Sequence, residues 1–156
     1  MNIEQQAVID ELIKLLKGGG AHATLKHALD NLPPQLRGVK PDGLPYSIWQ
    51  LTEHIRIAQW DMLQFCIDAN HQSPKWPDAF WPKEATLESD DVWNRSIEQI
   101  NNDLHQFIEL LKKQDIYKKI SHGSGQTILR EALQIADHTS YHTGEVIAIR
   151  RMLKAW

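Results

Sequence analysis

His138 and His142 stand four residues apart, a spacing that puts both imidazoles on one face of a helix and lets them reach one ion. A third histidine, His54, lies far upstream and closes a three-nitrogen site if its helix packs beside theirs. Such a site suits a divalent ion such as zinc, which leaves a coordination position open when only three protein ligands hold it. The competing reading is three hydrogen-bonded core histidines. One chemistry is excluded at once: a zinc peptidase written His-Glu-x-x-His needs a glutamate after its first histidine, and this chain has Thr139 there.

Apolar spacing predicts the helices that must carry these residues. Val8, Leu12, Leu15 and Leu16, then Leu25, Leu29 and Leu32, mark a first helical segment over about 3–31, broken or kinked at Gly18-Gly19-Gly20. The break is read first as a plain inter-helix turn. After a loop rich in Pro and Gly, Ser47-Ile48-Trp49-Gln50 reads as a capping box opening a second helix over about 47–69. Leu51, Ala58, Asp61, Met62 and Phe65 fall on the same side of that helix as His54, which therefore points inward. The stretch from Ser73 to Pro82, with Trp76, Phe80 and Trp81, is too long for a tight hairpin and suits a crossover. A third helix covers about 89–113. A fourth begins after Thr127 as N-cap and runs to about Leu153, with His138 and His142 on the margin of its apolar stripe beside Glu131, Glu145 and Met152.

These elements predict an all-α four-helix bundle, a fold whose interior commonly builds metal sites from facing side chains. At 156 residues the chain has the size of one domain, taken as 1–156. Apolar residues at 42% and charged residues at 24% are globular proportions, with no apolar run long enough to cross a bilayer. A net charge of −3 without a Lys/Arg cluster argues against nucleic acid as a partner. The N-terminus lacks the pattern of a secretory signal, and the lone Cys66 has no intrachain partner, so a cytoplasmic location is expected.

Two stretches taken together resemble the DinB-like superfamily of damage-inducible and thiol-transferase proteins. They are Leu44-Pro45-Tyr46-Ser47-Ile48-Trp49-Gln50-Leu51-Thr52-Glu53-His54-Ile55-Arg56, and Leu129-Arg130-Glu131-Ala132 continuing through Asp137-His138-Thr139-Ser140-Tyr141-His142-Thr143-Gly144-Glu145. Arg150-Arg151-Met152-Leu153 is similar to the ending these proteins carry after the paired histidines. The resemblance implies an up-down-down-up bundle with a long crossover between its second and third helices, often a homodimer. It further implies a zinc or nickel ion held by His54, His138 and His142. Relatives often carry glutamine three residues after the last histidine, where this chain has Glu145.

An open position on such an ion activates a thiol or a water near neutral pH. Relatives that use bacillithiol or mycothiol imply a low-molecular-weight thiol as a cofactor and a thiol S-transferase or hydrolase-like reaction on a small electrophile. Glu145 and Asp61 are the candidate catalytic proton acceptors. Glu145 is otherwise a ligand, an orienting group behind a ligand (the favoured role) or a partner of Arg56, and Asp61 is otherwise a buried salt-bridge partner. The alternative function is a non-catalytic metal-binding stress-response or dimeric interaction protein. His22 is a candidate substrate contact, read first as a solvated or capping residue. His27, His71, His105 and His122 are treated as background, Trp76, Phe80 and Trp81 as packing before pocket, and Cys66 as a small buried residue.

Overall fold

The structure, a computed structural model, describes residues 3–156. It contains α1 (Ile3–Lys17), the short α2 (Leu25–Leu29), α3 (Ile48–Ile67), α4 (Asp90–Lys113) and α5 (Ile128–Met152). Among the described residues there is no strand, only an isolated bridge between Lys119 and Thr127. The predicted first segment is thus two helices. Gly18 and Gly19 adopt φ +68° and +86°, a left-handed backbone that ends α1, and Thr24 then caps α2 by accepting from the His27 amide. The predicted starts of the three long helices hold. Ser47 and Gln50 form a reciprocal capping box on α3, Ser89 caps α4, and Thr127 caps α5.

Two apolar clusters show how the long helices lie. Ile48 and Leu51 of α3 share one cluster with Trp93 of α4 and Val146 and Ile149 of α5. Leu63, at the other end of α3, shares the second with Phe107 and Leu111 of α4 and Ile128, Ala132 and Ile135 of α5. α3 and α4 therefore run in the same direction and α5 runs against both. Parallel neighbours cannot be joined by a tight turn, which is why the chain between α3 and α4 must travel back along the bundle. Fully buried Phe107, Ile55 and Leu111 each contribute about 2 kcal/mol by leaving water.

The crossover is tied down where it passes the start of α3. Ser47 Oγ donates to the Ala85 carbonyl at 2.6 Å, and Gln50 Nε2 donates to the Pro82 carbonyl at 3.1 Å. The capping box thus both starts α3 and anchors the segment that will cover His54. α2 is held by Arg150, a buried guanidinium that donates to the carbonyls of Ala28 and Asp30 at 2.7 and 2.9 Å and so satisfies acceptors at the end of that helix.

Candidate metal centre

His54 comes from the middle of α3 and is 2% exposed, while His142 on α5 is 7% exposed and His138 lies one turn before it. One nitrogen from each lies within 4.8 Å of the others. His138 Nε2 is 2.9 Å from His54 Nε2. The bundle thus brings together the three histidines that the sequence singled out.

What surrounds the rings fixes their tautomers. His54 Nδ1 is 3.0 Å from the Phe80 carbonyl, which can only accept, so Nδ1 carries the proton and Nε2 keeps a lone pair. His142 Nδ1 is 2.5 Å from Glu145 Oε2, an arrangement that again leaves Nε2 bare. A carbonyl or carboxylate behind the ring is the usual support of a metal-binding histidine. In the neutral cluster the proton between His138 and His54 then belongs to His138 Nε2, and a bound cation must displace it.

Aromatic rings close one side. Trp81 lies on His54 at 3.8 Å and 6°, and Tyr46 lies on the far face of Trp81 at 3.8 Å and 9°. This stack keeps water from one face of the His54 ring. Burial pushes His54 below its ordinary value, a shift reinforced by His142 and opposed by the Phe80 hydrogen bond and Glu145. Burial first, then His142 and His54, push His138 down to about 3. Both rings therefore hold to the neutral form below the pH at which a solvated histidine protonates, which spares an incoming cation from competing with their full protonation.

A family model described as the DinB superfamily matches residues 20–146. The chain belongs to the DinB superfamily. The match takes in all three histidines, the crossover and Glu145, so the centre lies inside the family domain. No curated protein and no solved structure matches the chain.

The remaining candidates are distributed around this centre. Glu145 is bonded to His142 and does not reach Arg56, whose guanidinium is held by Glu53 at 2.8 and 2.9 Å. Asp61 lies about 10 Å along α3 from His54 and accepts from His71 Nε2 at 2.7 Å. His71, treated as background in the sequence, is thus the partner of Asp61; its position after α3 in the chain gave no sign of this. His22 is on another face of α5, between the Ala23 carbonyl and Ser140 Oγ, where it braces the glycine segment. His122 ties its loop to the Phe65 carbonyl. Trp81 packs on His54, whereas buried Phe80 and Trp76, which is 66% exposed, both line a cleft together with Asp61 and His138. Burial pushes the Cys66 thiol up to about 12, so it is not a nucleophile near neutral pH.

Proposed function

We propose that this DinB-superfamily protein holds a divalent cation, zinc or nickel, on His54, His138 and His142 and uses it as the centre of a small-molecule reaction. The observation that carries the reading is the pair of preset tautomers: the Phe80 carbonyl and the Glu145 carboxylate each leave a bare Nε2, and both rings reach the same point as His138. When bound, such an ion supplies Lewis acidity that brings a water or a thiol to its nucleophilic form near neutral pH. His54 and His142 present lone pairs without rearranging their protons. Trp81 excludes water from one side of the cluster, and the cleft beside His138 admits the substrate from another. Glu145 is bonded through one oxygen and its side chain is 38% exposed, which supports it over the more distant Asp61 as the group that takes up a proton, at Oε1.

Metal content is the test. Purified protein loaded with zinc or nickel is expected to hold one ion per chain after desalting, and His138→Ala and His142→Ala to hold far less. Equal retention in wild type and variants would sink the centre. Given a bound ion, turnover of thiols and water against electrophilic acceptors is expected to vanish with chelator and return with metal. A stoichiometric ion with no turnover across that panel would instead identify a metal-binding protein without catalysis.

A further inference from the structure

Beside His138, a cleft of about 360 Å³ opens between α3, α5 and the crossover. That volume is at the small end of the range of small-molecule sites. Phe65, Trp76 and Phe80 supply its aromatic wall, and Asp61 and Glu131 its ionisable groups besides His138; no Lys or Arg lines it. The two acids are not equivalent. Asp61 already accepts from His71. Glu131 is 5% exposed and lines the cleft, and among the described residues its carboxyl makes no hydrogen bond or ion pair; the fully buried side-chain atoms without a partner are Arg37 Nε and Asp103 Oδ2, so the Glu131 oxygens keep their small exposure. A carboxyl with so little access to water and no protein donor is poorly solvated, and a donor entering the cleft would gain a charge-assisted hydrogen bond there.

Position along the helix gives Glu131 its meaning. It precedes His138 by seven residues on α5, two turns or about 10 Å along the same face. A ligand held at Glu131 therefore lies along the cleft toward the histidines. An anionic head would meet two acids and no cation. An ammonium group satisfies the orphan carboxyl, is attracted by Asp61, and is stabilised by the faces of aromatic rings.

We propose that the cleft binds an organic cation, an ammonium group on a small apolar body, with Glu131 as its counter-charge and Phe65, Trp76 and Phe80 as its wall. The assignment of this ligand as the substrate rests on the metal-centre reading, because it is the ligand's other end that faces His138. Burial raises the Glu131 pKa in the empty cleft, a shift opposed by the neighbouring Arg130 and reinforced by Asp61, and a bound cation opposes it further by favouring the carboxylate. A carboxylate-bearing thiol is disfavoured in this cleft by the same charges.

Titration calorimetry with three probes of one shape tests the proposal: phenethylamine, 2-phenylethanol and 3-phenylpropanoate. The amine is expected to bind at least tenfold more tightly than the alcohol, and the carboxylate more weakly than either. Glu131→Gln is expected to weaken the amine at least tenfold and leave the alcohol within about twofold. Trp76→Ala, at an exposed position that does not threaten folding, is expected to weaken the amine about threefold. Three probes binding alike, no binding of the amine, or an amine affinity unchanged in Glu131→Gln each overturns the proposal. His138→Ala separates the two readings. Retained amine selectivity in that variant alongside lost metal supports both, whereas a metal centre that fails its own test leaves the selectivity of the cleft to stand or fall on the probe titrations.

Discussion

The Trp81 indole lies flat on the His54 imidazole at 3.8 Å and 6°, while the carbonyl of the preceding residue, Phe80, accepts from Nδ1 of the same ring. Two adjacent residues of the crossover thus set the plane, the tautomer and the solvation of one histidine of the cluster. The segment between α3 and α4 is part of the centre.

Trp81→Ala removes the cover and leaves the Phe80 carbonyl in place. The expected result is a stability loss of about 2 kcal/mol in urea denaturation of the metal-free protein, together with weaker zinc retention against a competing chelator. Unchanged retention would show that the stack only packs.

Glu145 acts on the ion through His142 in the proposed centre, so its replacement should lower affinity without changing stoichiometry. Glu145→Ala is expected to bind one ion per chain with an affinity about 10–100-fold lower. Glu145→Gln, which keeps a carbonyl acceptor, should fall nearer to wild type. Competition with a chromogenic chelator measures both, and a loss of stoichiometric binding in either variant would make Glu145 a ligand.

The depressed histidines give the metal-free protein an acid-sensitive stability. The folded His138 lies at about 3 against an ordinary value of 6.5. As pH falls through 6.5 the unfolded chain takes up this proton first, so stability is full above about 6.5 and is lost progressively toward 3. His54, shifted in the same direction, adds to the loss. A decrease on the order of 4–5 kcal/mol is expected across that range, and His138→Leu should flatten it. The check is Tm against pH for the metal-free wild type and variant.

Ser47 has two roles in one side chain, as cap of α3 and donor to Ala85. Ser47→Ala is expected to cost about 1–2 kcal/mol of stability. Because the Ala85 bond anchors the crossover, the variant should also show faster amide exchange in the segment around Phe80 and Trp81. A stability loss with exchange unchanged would confine Ser47 to capping.

Cys66 should be silent in the folded protein. With its thiol pushed up to about 12, alkylation by iodoacetamide at pH 8 is expected to be far slower than in denaturant. Equal rates, followed by mass spectrometry, would contradict the burial.

The long helices and the faces that carry the three histidines were legible because they rest on local rules. The capping box at Ser47, the N-cap at Thr127 and the four-residue step from His138 to His142 are relations within one or two turns, and the sequence states them directly. The inward side of His54 followed from the apolar periodicity of its own helix. Gly18 and Gly19 marked a break but not its form, since whether a helix resumes beyond a left-handed turn depends on what it can pack against. Here α2 forms over five residues because Arg150, at the other end of the chain, takes its carbonyls.

By itself, then, the sequence determined which helices form, which face of each turns inward, and that three histidines stand on those faces. Only the tertiary structure decided what stands behind and beside them. The support of His54 is a backbone carbonyl, a group every residue has and no residue type advertises. The pairing of Asp61 with His71 and the solitude of Glu131 depend on which elements meet at the cleft. Local periodicity fixes direction around a helix axis, but a hydrogen-bond partner is fixed by distance between segments, and that exists only once the bundle has closed.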